Sequence, residues 1–250
     1  MHRAVDIARA IWQLSLGWLF CLLYVPVLVL VVAAVPGDLH RASTPLIRVF
    51  GKVLLAICGV RLKLEDPEAL LGSGRRILIL NHTSTLDLPI ACAAWPKRGS
   101  SVLKKEFRDL PVLGWASAVL GQISVDRSST EAAKASLNAA ATGIKDDELG
   151  VFMAPEGTRS VTGEIGRFKL GAWHLASAAD APIVPLVLHG TFELWPHKQL
   201  SCRSGTVTVR VLESVYPAQM DPAAFRENAE ELRQKYVETL ATMRRDDSTD

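Results

Sequence analysis

With 250 residues the chain is long enough for one medium domain with a full core and an appendage. Its 28 Lys and Arg against 26 Asp and Glu leave a formal charge of +2, too little to argue for a nucleic-acid partner. The four cysteines (Cys21, Cys58, Cys92, Cys202) form no C-x-x-C pair, which argues against a zinc site or a disulfide framework and suits a reducing compartment.

Hydrophobic residues make up 49% of the chain, and the excess is local. Ile11 to Val35 is almost continuously apolar, interrupted by Gln13, Ser15, Gly17 and Pro26. It exceeds the roughly 20 residues that a helix needs to cross a bilayer, and it is too long for the apolar part of a cleaved signal peptide. Trp12, Trp18 and Tyr24 read as interface aromatics, and Pro26 as a kink or a break into two re-entrant arms. Leu46 to Val60 carries Arg48 and Lys52 on one helical face and is too short and too charged to span. It fits an interfacial helix with basic side chains toward phospholipid head groups. The expectation is a membrane-anchoring unit over residues 1–60, built from an apolar segment 11–35 and an amphipathic one 46–60.

From residue 60 short strands alternate with helices. Strands are predicted at 60–64 (exposed or at an edge), 76–80, 101–103, 122–125, 150–153, 183–188 and 206–211. Helices are predicted at 83–93, 111–120, 130–142 behind a Ser129 cap, and 169–178. A terminal helix follows Asp221-Pro222, with Phe225, Ala229, Leu232, Tyr236, Leu240 and Met243 on one stripe that reads as core packing. The pattern predicts an α/β domain over 61–245, a mixed central sheet flanked by helices, behind an N-terminal membrane-embedded helical module, with a polar tail at 246–250.

The stretch Asn81-His82-Thr83-Ser84-Thr85-Leu86-Asp87 directly follows the buried run Ile77-Leu78-Ile79-Leu80. A neutral imidazole takes a proton from an alcohol near pH 7, and a carboxylate on its other nitrogen fixes the tautomer and stabilises the imidazolium. Residues five apart in a regular helix lie about 140° apart around the axis. His82 and Asp87 therefore meet only if His82 sits in the turn before the helix and Asp87 in its first turn. Ser84-x-x-Asp87 also fits a capping box, and on these residues alone the two readings stand level.

Three more blocks stand at strand ends: Gly121-Gln122-Ile123-Ser124-Val125-Asp126-Arg127, Pro155-Glu156-Gly157-Thr158-Arg159-Ser160 and Ile183-Val184-Pro185-Leu186-Val187. Arg127 and Arg159 suit bidentate binding of one phosphate monoester, with Lys104 and Lys105 as added point charge. Either arginine alone reads more simply as a solvated surface charge. Gly157 permits close backbone approach or a positive φ, and Val184-Pro185 also fits an edge strand. The chain has no Walker A loop, no G-x-S-x-G elbow and no G-x-G-x-x-G after a strand, so nucleotide-driven and serine-hydrolase chemistry lack their usual warrants.

In this order, the blocks resemble the glycerolipid acyltransferase family, and within it the 1-acylglycerol-3-phosphate (lysophosphatidate) acyltransferases. They run from 81 to 187, and as an ordered set they are specific where the His82–Asp87 spacing alone is not. The resemblance implies an acyl thioester donor on coenzyme A or acyl carrier protein, a lysolipid acceptor in a phospholipid bilayer, and no resident cofactor or metal. It also implies an N-terminal two-helix anchor, and so a membrane location, on the cytoplasmic face of the inner or plasma membrane. It implies His82 as general base, Asp87 as its orienter, and an acceptor-phosphate site of Arg127, Glu156, Gly157, Thr158 and Arg159 with Lys104 and Lys105. Val184-Pro185 would lie near the acyl or acceptor channel, and an N–H near Gly157 would stabilise the oxyanion. One departure stands out. The residue before Pro155 is usually aromatic in the family and here is Ala154, which loosens a pocket wall. The acceptor is therefore open between lysophosphatidate, a lyso-ornithine lipid, another lysophospholipid and glycerol 3-phosphate. A non-catalytic membrane lipid-binding protein is the alternative from another class.

Overall fold

The computed structural model describes residues 2–106, 111–126 and 128–247. Its strands are β1 (Val60–Leu64), β2 (Arg76–Leu80), β3 (Gly99–Lys104), β4 (Ile123–Val125), β5 (Gly150–Met153), β6 (Ile183–His189) and β7 (Gly205–Val211). They form one sheet in the order β1-β7-β6-β2-β5-β3-β4. All neighbours run parallel except β6 and β7, so the sheet is mixed, as the pattern implied. The carboxyl ends of β2 to β6 consequently share one edge, where open α/β sheets place their ligands.

The helices are α1 (His2–Ala34), α2 (Leu39–Cys58), α3 (Pro67–Leu71), α4 (Asp87–Ala93), α5 (Pro111–Val119), α6 (Thr130–Asp146), α7 (Gly171–Ala178), α8 (Thr191–Leu194) and α9 (Phe225–Asp247). Every residue of β2 and β6 is buried, because helices cover both faces of the sheet there. Leu78 and Leu80 turn to the side of α2 and α4; Ile77 and Ile79 turn to the side of α6, α7 and α9. Each such side chain stabilises the fold by about 1.5–3 kcal/mol. The α9 stripe from Phe225 to Met243 is buried throughout. Strand β1 is an edge strand paired only with β7.

Pro185 departs from the edge-strand alternative, because β6 lies inside the sheet. A central proline leaves its ladder one N–H short. The Tyr236 hydroxyl enters at this point, donating to Ile79 O (2.9 Å) and accepting from Leu186 N (2.9 Å).

At the N-terminus α1 is a single helix that continues through Pro26, so the chain does not break into two arms there. It runs antiparallel to α2. Gln13 donates to Cys202 O (3.0 Å) and accepts from Cys202 N (2.8 Å), while farther along Phe20 stacks on Phe50 at 5.6 Å. Two expectations about this unit change. The Tyr24 hydroxyl donates to Leu46 O (2.9 Å), and Arg48 donates to Trp95 O (2.7 Å), so both turn into the protein and not toward lipid. Trp12, Trp18 and Lys52 do stay exposed. Helix α2 packs hard on α4: a Cβ on Gly51 would collide with the Ala93 amide nitrogen and the Pro89 carbonyl.

Candidate active site

Helix α4 begins at Asp87, later than the residue-83 start expected, because the Thr83–Leu86 segment forms a turn held by side chains. Ser84 Oγ accepts from Leu86 N (3.1 Å) and donates to Trp195 O (2.8 Å), and the Thr83 hydroxyl meets the Thr191 hydroxyl at 3.0 Å. Asn81 acts as a side-chain extension of β2: its amide donates to Leu188 O (3.0 Å) and accepts from Leu188 N (2.8 Å).

That turn brings His82 Nδ1 to 2.7 Å from Asp87 Oδ2. The same oxygen accepts the N–H groups of Thr83 (2.9 Å) and Ser84 (3.0 Å). One oxygen thus serves both the acid–base pair and the closure of the turn. The capping box does not form: the α4 N-cap is Leu86, with no side-chain cap bond, and Ser84 Oγ is taken by Leu86 N. Asp87 is 2% exposed and its Oδ1 is buried with no hydrogen-bond partner, so a single oxygen carries the whole load. An ionised carboxylate only accepts, so the imidazole proton is on Nδ1 and the lone pair is on Nε2. The His82 side chain is 29% exposed, enough for an acceptor hydroxyl to reach it.

Glu156 sits differently from the substrate contact expected of it. It is 5% exposed, with Oε1 accepting His82 N (2.9 Å) and Oε2 accepting Gly166 N (2.9 Å). Burial pushes its carboxyl above the usual carboxylate range, against the two N–H donors that favour the charged form. Ser160 N donates to His82 O (2.8 Å), so both main-chain groups of His82 are tied to the loop after β5. No spacing rule links residue 82 to residues 156 and 166; only the β2–β5 pairing does.

Gly157 adopts φ +73°, the left-handed region that glycine tolerates. Its N–H donates to Ala154 O (3.1 Å). Thr158 and Arg159 are exposed, and Arg159 Nη1 donates to Thr85 Oγ1 (3.1 Å), which brings one guanidinium to the His82 turn. Lys104 and Lys105 lie at the end of β3, two strands from β2, and Lys105 is paired with Asp126 at 3.1 Å. The Asp126 carboxyl is held down at about 2, first by Ser128 and then by Lys105. Arg127 lies outside the described residues. The structure therefore gathers His82, Asp87, Glu156, Gly157 and Arg159 around one turn and sets Lys104 and Lys105 along the same sheet edge. Among the described residues no group of three or more His, Cys, Asp or Glu is arranged to hold a metal ion.

The acyltransferase family profile matches residues 61–189, which takes in the His82 turn and the loop after β5. The chain belongs to this acyltransferase family. A 1-acyl-sn-glycerol-3-phosphate acyltransferase of Saccharomyces cerevisiae is 33% identical over 206 residues, 82% of this chain and 68% of the yeast one. The enzyme of the same name from Cocos nucifera is 31% identical, covering 77% of this chain and 62% of its own length. The human alpha form is 29% identical over 94% of this chain and 80% of its own. The acyltransferase fold also matches a crystal structure titled as the 1-acyl-sn-glycerophosphate acyltransferase PlsC of Thermotoga maritima. The TM-score is 0.80 at 21% identity, over 96% of this chain and 98% of that one.

Proposed function

We propose that the protein transfers a fatty acyl group from an acyl thioester to the free hydroxyl of 1-acylglycerol 3-phosphate, giving phosphatidate. The observation that carries this is the 2.7 Å contact between His82 Nδ1 and the buried Asp87 carboxylate at the end of β2. His82 Nε2 takes the proton from the acceptor hydroxyl as its oxygen attacks the thioester carbon. The new C–O ester bond forms, the C–S bond breaks, and the departing thiolate takes up the proton. A thioester is already activated, so positioning and base catalysis suffice and no acyl-enzyme is required. Relatives named for the same acceptor support lysophosphatidate, and Arg159 beside Thr85 supports an acceptor that carries a phosphate.

Residues 1–60 serve as the membrane anchor of the domain at 61–245, with 246–250 as a tail. Support comes from α1, whose Asp6–Ala34 segment is long and apolar enough to cross a membrane. Coenzyme A or acyl carrier protein delivers the acyl group as co-substrate. Four cysteines without a disulfide fit the reducing, cytoplasmic side of the membrane.

The test is acyl transfer from acyl-coenzyme A to a panel of lysophosphatidate, other lysophospholipids, a lyso-ornithine lipid and glycerol 3-phosphate. Lysophosphatidate is expected among the best acceptors, and its failure would overturn the acceptor assignment. His82→Ala should lower kcat about 10²–10⁴-fold with acceptor binding retained. Unchanged turnover would remove His82 from the chemistry, and no turnover by the parent protein on any acceptor would leave a non-catalytic lipid-binding role.

A further inference from the structure

Among the described residues of 61–247, four large hydrophobic side chains stand exposed: Leu88 (63%), Val161 (64%), Leu200 (72%) and Tyr216 (50%). Three of the four surround the His82 turn. Leu88 follows Asp87 in the first turn of α4. Val161 follows Ser160, whose N–H donates to His82 O (2.8 Å). Leu200 sits in the loop from α8 to β7, where the Trp195 carbonyl accepts the Ser84 hydroxyl (2.8 Å). Tyr216 stands at the opposite edge of the sheet, next to Val215, which pairs with Ile183 at the start of β6. Scattered exposed leucines need no account, but a set gathered at the mouth of one site does.

The loop over 195–204 carries the most exposed large hydrophobic side chain of the described residues, Leu200. Its backbone is closed on itself: Arg203 N donates to Leu194 O (2.8 Å), Gln199 N to Pro196 O (3.2 Å), and Trp195 Nε1 to Gln199 O (2.9 Å). Leu200 is therefore held outward by a built turn. No acidic residue stands between Leu194 and Gly205, and Lys198 and Arg203 are both exposed. An apolar tip flanked by cations, with a tryptophan at its base, is the composition of a segment at the head-group level of a bilayer. The loop is also tied to α1. The Gln13 amide bonds both main-chain groups of Cys202, and the neighbouring Trp12 is 64% exposed. The loop thus adjoins the apolar outer face of α1.

Resting on the reading of α1 as a membrane anchor, we infer that the 195–204 loop is a second docking element for an anionic phospholipid bilayer. Leu200 enters the lipid, Lys198 and Arg203 lie against anionic head groups, and Leu88 and Val161 extend the apolar rim around His82. An acidic carrier protein would match Lys198 and Arg203, but it would leave unexplained an apolar rim that adjoins α1. The two elements have different tasks. Helix α1 holds the chain at the membrane, and the loop presses the mouth of the site onto the surface. Because Trp195 O holds Ser84, the docked loop stands directly against the turn that carries His82. An acceptor lipid then reaches the base past Leu200 and Leu88 without crossing water.

The experiment uses the full-length protein in vesicles of phosphatidylcholine and phosphatidylglycerol. A nitrobenzoxadiazole fluorophore is placed at Leu200→Cys or, as the control, at Tyr216→Cys, both in a Cys21→Ser background because the other three cysteines are buried. The label at 200 should be quenched by doxyl-labelled lipid and shielded from iodide, and the label at 216 should show the reverse. A label at 200 open to iodide and untouched by doxyl lipid would overturn the docking. So would one that only added acyl carrier protein shields, which would assign the loop to a protein partner. Function gives a second reading. Leu200→Glu should lower kcat/KM for lysophosphatidate in vesicles about tenfold, with turnover in detergent micelles and retention on the vesicles unchanged. No loss on vesicles, or an equal loss in micelles, would overturn the role of the loop at the bilayer. If the parent protein does not stay with the vesicles, the anchor reading of α1 fails and the docking falls with it. If it stays and position 200 remains in water, the loop alone fails. The label readings need no turnover, so they stand apart from the acyl-transfer reading.

Discussion

Asp87 Oδ2 accepts from the His82 ring and from the N–H groups of Thr83 and Ser84, so the atom that orients the base also closes the turn that carries it. Glu156 acts one step farther out, through the His82 N–H. Glu156→Gln separates that positioning role from substrate binding. Its amide offers one acceptor and turns an NH₂ toward the other N–H donor, so one buried bond is lost at a cost of about 1–3 kcal/mol. With the base displaced, kcat should fall about 10–100-fold while both KM values stay constant. A rise in acceptor KM at constant kcat would return Glu156 to the substrate site. The variant also has a pH signature. The raised carboxyl means the folded state holds a proton in a range where the unfolded chain, titrating at about 4.3, has lost it. Stability conferred by Glu156 is full below that value and declines as pH rises through the window up to the folded value. In Glu156→Gln this decline should vanish, which urea unfolding midpoints measured from about pH 4 to 7 would register.

At the scale of elements, what the sequence made legible was whatever its neighbours in the chain decide. The unbroken runs of β2 and β6 and the α9 stripe announce burial without knowledge of partners. So does the His82 turn, whose geometry is closed within six residues. Features set by distant residues stayed hidden. Tyr236 arrives from α9 to bond Leu186 N beside Pro185, Arg48 turns inward to the Trp95 carbonyl just past the end of α4, and Glu156 finds His82 across a strand pair. Helix α2 starts at Leu39, ahead of the 46–60 segment expected, with Asp38 capping it through Arg41 N and the Thr44 hydroxyl bonded to Pro96 O at 3.1 Å. The α2–α4 contact carries a prediction of its own. Gly51 lets α2 approach the backbone of α4, the helix that starts with Asp87. Gly51→Val should cost about 1–3 kcal/mol by overpacking and lower the thermal midpoint by several degrees. Because α4 must shift, kcat should fall as well. An unchanged midpoint would mean that the two helices do not need that closeness.

At the scale of the whole molecule, the outer face of α1 is the feature that no internal packing explains. Trp18 is 67% exposed and Leu22 68%, with Ile11, Trp12, Leu19, Leu23, Val27 and Leu30 also more than half exposed. A contiguous apolar face of this kind is rare on proteins that meet only water and marks a membrane or protein contact. Truncating α1 is a poor test of anchoring. It would strip Phe20 and Tyr24 from Phe50 and remove Gln13 from Cys58 and Cys202, so lost packing and lost lipid contact would be confounded. Trp18→Glu with Leu22→Glu alters only the outward face. Each change removes an apolar group worth about 1.5–3 kcal/mol of burial in lipid and adds a charge. The variant should move from the membrane pellet to the soluble fraction with its unfolding midpoint unchanged. Turnover of lysophosphatidate embedded in vesicles should drop at least about tenfold and recover when the same lipid is offered in detergent micelles. Full retention on vesicles would shift the anchor to α2 and the domain surface. Loss in micelles as well would show that the face does more than hold the enzyme at its substrate.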